Sequence, residues 1–263
     1  MNVIGRLESL WRYPVKSMAG ESVTQAHVGF AGVLGDRMYG VHHAGAPSSF
    51  PFLTARSKKE MLRFRPRFRY PERTLVPPNF AEADARGPGL TPLFPSSEDL
   101  ALDVESPDGK IMPLSDPELL RLLEGPELRS SDLTIIRSDR AMTDCRPLSL
   151  LATQTIDEIG RAVGLALDRR RFRANFYLDL NSGGGFAEDA FVGRRLRIGE
   201  KLIVHVLERD IRCRMISIDP ESLHETPEIL RYVAKSHDGT AGVYAAVLVE
   251  GVVRPGDDIV LLD

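Results

Sequence analysis

Cys213 lies in the run Arg209-Asp210-Ile211-Arg212-Cys213-Arg214-Met215, a thiol with guanidinium groups on both sides. A cationic neighbourhood favours the thiolate, the form that ligates metals and attacks electrophiles. The apolar content of residues 211–218 predicts a strand, and on a strand Arg212 and Arg214 point away from Cys213. A small buried core thiol is therefore the competing reading. The second cysteine, Cys145 in Thr143-Asp144-Cys145-Arg146-Pro147, precedes a proline turn and reads as structural.

Other segments are suited to holding an anion. Tyr13-Pro14-Val15-Lys16-Ser17 is extended up to the proline and then turns, which sets the Lys16 ammonium beside the Ser17 hydroxyl at a strand end. That pair suits a phosphate or another oxyanion; a surface lysine and a turn serine are the plain alternative. Gly35-Asp36-Arg37 is a tight turn that places Arg37 early in a strand, with a buried Asp-Arg pair as the alternative. Arg56 opens a basic run continued by Lys58, Lys59, Arg63, Arg65, Arg67, Arg69 and Arg73. Such a run is a solvated face or an anion-contact surface, and it lacks the regular aromatic interleaving of a single-strand nucleic-acid binder. Thr153 and Thr155 open a helix whose unpaired N–H groups favour anions; Thr155 with Glu158 also fits a capping box. In an extended segment Arg171, Arg173 and Asn175 share one face, so they meet solvent or line a polar site.

Composition narrows the options. The chain has 263 residues, enough for one large domain or two closely packed ones. Its 34 basic and 37 acidic residues give a formal net charge of −3, which argues against a uniformly basic nucleic-acid binder. There is no apolar stretch of the length a membrane span needs, and the N-terminus has no signal-peptide pattern, so the expected location is the cytoplasm. Two cysteines rule out a four-cysteine metal site, and CxxC and HExxH are absent. A cysteine-held metal would have to take its other ligands from a cofactor or solvent.

The positioning elements are mostly short β segments: 3–9, 22–28, 37–43, 133–137, 175–180, 201–207, 211–218, 243–249 and 259–262. Helices are expected at 116–123, at 153–163 ended by Gly164, and from Thr226-Pro227 onward. The stretch 66–95 carries seven prolines and reads as an irregular excursion. The fold expected is mainly β with several helices (α+β), divided into 1–114 and 115–263.

Taken in order, these motifs resemble the MOSC superfamily, the molybdenum cofactor sulfurase C-terminal domain, preceded by its N-terminal β-barrel domain. The resemblance rests on Tyr13-Pro14-Val15-Lys16-Ser17, Gly35-Asp36-Arg37, Thr54-Ala55-Arg56, Phe172-Arg173-Ala174-Asn175, Phe186-Ala187-Glu188-Asp189, Gly193-Arg194 with Leu196-Arg197-Ile198-Gly199, Arg212-Cys213 with Asp219-Pro220, and Gly242-Val243-Tyr244 with Gly251 and Pro255-Gly256-Asp257. It implies a MOSC-type β-barrel beside an N-terminal β-barrel-like domain, and a pyranopterin dithiolene molybdenum cofactor with Cys213 as the protein's ligand to the metal. Lys16, Ser17, Arg37, Arg56, Arg173 and Asn175 are then expected to bind the cofactor, with Thr153 and Thr155 mapping less cleanly. Ala174 stands where the family usually has proline.

Relatives of this kind include the amidoxime-reducing component and bacterial reductases of N-hydroxylated bases. The resemblance thus implies a molybdenum-dependent reductase of a small N-hydroxylated substrate. Its electrons would come from an external flavin or Fe–S reductase, since two cysteines cannot hold a Cys-ligated 2Fe–2S cluster in this chain. The basic run after Arg56 could dock such a partner. No pyridoxal-phosphate desulfurase domain precedes the motifs, which argues against that cofactor. The alternative is a non-catalytic carrier of the cofactor, or of sulfur on Cys213. A decayed anion-binding module is a third reading, against which the retained Lys16, Arg37, Asn175 and Cys213 argue.

Overall fold

The computed structural model describes residues 2–86, 96 and 98–262. Seven strands close into a barrel: Asn2–Arg12, Phe176–Leu180, Leu148–Ala152, Thr240–Val249, Leu202–Ile211, Arg195–Ile198 and Asp258–Leu261, which returns to Asn2–Arg12. All pairings are antiparallel except Leu148–Ala152 with Phe176–Leu180. That parallel pair needs a crossover, supplied by the helix Thr153–Val163. Gly164 ends this helix at φ 71, a left-handed conformation that costs glycine little.

Alternation fills the barrel. Along Asn2–Arg12, Leu7 and Leu10 point inward after a register shift between Leu7 and Ser9. They meet Leu148, Leu150, Phe176, Leu178, Val204 and Val243 in a fully buried core. A second core, with Val15, Met18, Val41, Met61, Phe64 and Val104, holds the N-terminal region together. A third packs Ile156 and Ile159 of the crossover helix and Ile229 and Val233 of the helix Pro227–Ser236 against Tyr177 and Phe172.

Pairing crosses the expected division near residue 114. The first strand closes the barrel, Ala26–Gly29 pairs with Gly251–Val253, and Tyr39–His43 pairs with Leu133–Arg137. The excursion expected at 66–95 contains regular structure among its described residues. Arg65–Phe68 is a strand paired with Leu102–Glu105, and Phe80–Arg86 is a short helix. Pro66 is tolerated because Arg65–Phe68 is an edge strand of its three-stranded sheet. Residues 87–95 lie outside the described residues.

Residues 211–218 are not a strand. Ladder pairing stops at Ile211, and Arg214–Ser217 forms a short 3-10 turn. The break follows from the partner: Thr240 opens the opposing strand, so past Ile211 the contact with it shrinks to Arg212 N–H donating to Gly239 O at 2.8 Å.

Candidate active site

A cleft of about 810 Å³, counting its open mouth, lies between the N-terminal region and the rim of the barrel. Lys16, Ser17, Arg37, Arg56, Arg173, Asn175 and Cys213 all line it. Seven of the nine expected site residues therefore meet at one place, although up to 197 positions separate them in sequence (213 minus 16).

The backbone that delivers them is unusual. Of six non-glycine residues with positive φ among the described residues, three are Ser17 at 68°, Arg37 at 48° and Arg173 at 54°. Each costs of order 1–3 kcal/mol and persists only where surrounding contacts impose it. The contacts here are specific. Arg37 N–H donates to Tyr13 O at 2.8 Å, and Tyr13 N–H donates to Asp36 Oδ1 at 2.7 Å. Asp36 Oδ2 pairs with Arg37 Nη1 at 2.5 Å, so the simple buried-pair reading of this motif also holds. Arg37 and Arg173 both lie over the Tyr13 ring, with their guanidinium carbons 4.7 and 4.3 Å from its centroid.

Lys16 is not a surface lysine. It is buried, its Nζ donating to Met142 O at 2.8 Å and forming a short contact with the Asp144 carboxylate. Burial lowers the Lys16 pKa, opposed by Asp144. Burial works against the Asp144 charge too, but Lys16 outweighs it and holds that carboxyl below its usual range. Burial is also the main force on Arg173, and the like charge of Arg37 adds to it, so the pKa of this guanidinium falls to about 10. Arg173 Nη1 donates to Met18 O at 2.7 Å, while its buried Nη2 has no hydrogen-bond partner. An enclosed guanidinium with an unused donor is suited to an anionic ligand.

Residues 171–175 do not form the extended face expected of them. Arg169–Arg171 is a 3-10 turn, capped by Asp168. Arg171 turns to Ser217 O and Asp219, while Asn175 is buried with its Oδ1 accepting from Ser149 N–H. The turn still brings Arg171, Phe172, Arg173 and Asn175 to the cleft.

Cys213 precedes the 3-10 turn and is partly exposed in the cleft, not sealed in a core. Its two flanking arginines are committed elsewhere. Arg212 donates to Ala241 O at 2.6 Å and Phe172 O at 2.8 Å, and its Nη2 lies 2.9 Å from Asp210 Oδ2. Arg214 pairs outward with Glu225 at 2.7 Å. Gly242 allows the Arg212 arrangement: its φ is +82°, and a Cβ there would meet Leu150 O at 2.6 Å and Arg212 Nη2 at 3.1 Å.

Thr153 and Thr155 do not line the cleft. Ser149, on the strand that leads into their helix, does. Four residues of strand at about 3.3 Å each carry Thr153 roughly 13 Å from Ser149. Thr155 also does not form a capping box with Glu158. Its hydroxyl faces the buried Glu188 carboxylate at 2.7 and 2.8 Å and accepts from Phe186 N–H at 2.6 Å, whereas Glu158 accepts from Gly185 N–H. Cys145, expected to be structural, is exposed beside Glu208.

The basic run after Arg56 is largely neutralised within the chain. Lys59 pairs with Glu225, Arg65 with Glu221, Arg67 with Glu105, Arg69 with Asp103 and Arg73 with Asp99.

Sequence reasoning gave no role to Asp144, Ser149 or Asp210. Asp210 accepts from Ser149 Oγ at 2.8 Å, and burial raises its carboxyl pKa. Its position three residues before Cys213 was the available signal. Among the described residues no group of three or more His, Cys, Asp or Glu side chains could hold a metal ion by itself, and no helix is long and apolar enough to cross a membrane.

Comparison with known proteins agrees with the motif order. Residues 137–260 match the MOSC domain, and residues 4–87 match the MOSC N-terminal beta barrel domain. Among solved structures, the YuaD protein from Bacillus subtilis is similar over 97% of this chain and 93% of that one, at 13% identity and a TM-score of 0.44. YiiM from Geobacillus stearothermophilus is 22% identical over 45% of this chain and 55% of its own, with a TM-score of 0.36. YiiM from Escherichia coli is 16% identical over the same shares, with a TM-score of 0.34. The chain thus spans about half the length of the YiiM chains it matches. No curated protein matches it.

Proposed function

The chain belongs to the MOSC family, and on that premise we propose that it is a molybdenum-cofactor oxidoreductase that reduces N-hydroxylated compounds with electrons from a separate protein. The observation that carries this reading is the meeting of Cys213 with Lys16, Arg37, Arg173 and Asn175 in one cleft. The residues present fit the cofactor's chemistry. Arg173 has an unused buried donor, and the Lys16 ammonium, Ser17 hydroxyl and Arg37 guanidinium stand with it in the same cleft, as a phosphate requires.

In this reading Lys16, Ser17, Arg37 and Arg173 hold the phosphate of the pterin, Arg56 adds charge at the mouth, and Asn175 fixes the wall through Ser149. Cys213 supplies one thiolate to the metal. Arg212, held by two carbonyls, keeps the segment before Cys213 in place. The bound group supplies two-electron chemistry, for an overall reaction in which R–NHOH, two electrons and two protons give R–NH2 and water. The protein acts in the cytoplasm, where thiols stay reduced.

Protein made in a cofactor-competent host is expected to carry about one molybdenum and one pterin per chain. Cys213→Ser is expected to lose the metal and the reduction of an N-hydroxylated base by an artificial electron donor. Full molybdenum occupancy with no turnover from any donor would replace the enzyme by the carrier reading. Sulfur on Cys213 without molybdenum would point to a sulfur carrier.

A further inference from the structure

Lys16 and its counter-ion are unequally buried. The Lys16 side chain is 6% exposed, and the Asp144 side chain is 56% exposed. Asp144 sits on the connection 138–147, which has no regular structure and runs from the strand Leu133–Arg137 to the barrel strand Leu148–Ala152. That connection is clasped to the cleft at two neighbouring points. Met142 O accepts from Lys16 Nζ at 2.8 Å, and Met142 N–H donates to Arg37 O at 2.9 Å.

The Asp144 carboxylate pairs with Lys16 and is further favoured as an anion by the charges of Arg37 and Arg56. The other acidic side chain lining the cleft, Asp210, is committed to Arg212 and Ser149. A phosphate reaching Lys16 would therefore meet a like charge already seated there, and two anions at contact distance repel.

We propose that Asp144 occupies the anion position on Lys16 and is displaced, together with the connection 138–147, when a phosphate-bearing ligand enters the cleft. Asp144 thereby sets the affinity of the anion subsite. It keeps the buried ammonium paired in the free protein and weakens binding of any anion that cannot expel it. The inference rests on the reading that Lys16 and Arg37 hold the ligand's phosphate.

Inorganic phosphate is the probe, titrated by calorimetry into the full chain, into Asp144→Asn and into Lys16→Met. Asp144→Asn is expected to bind phosphate about tenfold more tightly than wild type, and Lys16→Met to bind it far more weakly. Amide exchange supplies a second readout. In wild type, phosphate is expected to speed exchange at Met142, whose N–H is held by Arg37 O. Unchanged or weaker binding by Asp144→Asn, or slower exchange at Met142 with phosphate, overturns the displacement. If phosphate binds and Lys16→Met binds it as well as wild type, the phosphate-holding role of Lys16 fails, and the inference with it. Should neither wild type nor Asp144→Asn bind phosphate, the reading of the subsite itself is overturned.

Discussion

Arg37 Nη2 donates to the backbone carbonyl of Arg173 at 2.9 Å, joining two residues that both hold left-handed backbone and both cover Tyr13. The Arg37 side chain thus holds the backbone that carries Arg173. The Asp36 carboxylate anchors this arrangement. Its side chain is fully buried and takes Arg37 Nη1 on one oxygen and Tyr13 N–H on the other. Removing Arg37 strands a buried carboxylate. Arg37→Met is expected to lower unfolding stability by about 3–5 kcal/mol. Adding Asp36→Asn should recover part of that loss, because the two effects are coupled. Urea unfolding of the three variants measures both. A loss below about 1 kcal/mol for Arg37→Met would mean the pair is not buried as described.

His27 gives the protein an acid-sensitive point outside the residues that line the cleft. Its ring is buried edge-on to Phe80 at 5.4 Å, and its Nε2 has no hydrogen-bond partner. Burial pulls its pKa from 6.5 to about 4, with Lys201 adding to the shift and Asp84 opposing it. The unfolded chain therefore binds a proton that the folded one refuses between these values. The stabilisation from neutral His27 is complete above pH 6.5 and is lost as pH falls toward 4. The shift corresponds to about 3 kcal/mol. Unfolding measured at stepped pH should show this loss in wild type and a flatter profile in His27→Leu. Equal slopes for the two proteins would show that His27 does not titrate as described.

Much of the site was legible because its residues are adjacent pairs and triplets that local turns present together. Lys16-Ser17, Arg37 from the Asp36-Arg37 turn, and Arg173 with Asn175 each reach the cleft from one short segment. The anionic half was not legible. Asp144 matters only because Lys16 comes to it from 128 positions away. Asp210 matters because Ser149 and Arg212 converge on it. Strand ends were misread where pairing rather than propensity decides them. Residues 211–218 have strand composition but their ladder ends at Ile211 opposite Thr240, and Leu148–Ala152 was missed although all five of its residues are buried. A five-residue run with one small polar residue, Ser149, shows no clear alternation to detect.

Thr155 separates structural from ligand-holding threonines. Its hydroxyl ties the crossover helix to Phe186, whose φ is 64°, and to Glu188, whose carboxyl pKa is raised by burial. Thr155→Val leaves a buried N–H and a buried carboxyl short of a partner. It should cost about 1–3 kcal/mol in unfolding stability. Phosphate affinity, measured by calorimetry below the new unfolding midpoint, should not change. A large drop in affinity with little loss of stability would return Thr155 to the ligand-binding set.

Arg173 and Arg56 both line the cleft, but their settings differ, and so should their variants. Arg173 is enclosed, its pKa is pulled down to about 10, and one donor is unused. Arg56 is exposed at the mouth, its guanidinium 4.7 Å from the centre of the Phe50 ring. A charge-assisted hydrogen bond made away from water is worth about 1.5–3 kcal/mol, or roughly ten- to a hundredfold in Kd. Arg173→Met should weaken phosphate binding by that factor at any ionic strength. Arg56→Met should weaken it only a few fold, and that effect should fade in high salt, because exposed charges are screened over about 8 Å at physiological ionic strength. Titrations at low and high salt distinguish the two. If Arg56→Met proved as damaging as Arg173→Met in high salt, the anion would sit at the mouth of the cleft and not against its enclosed wall.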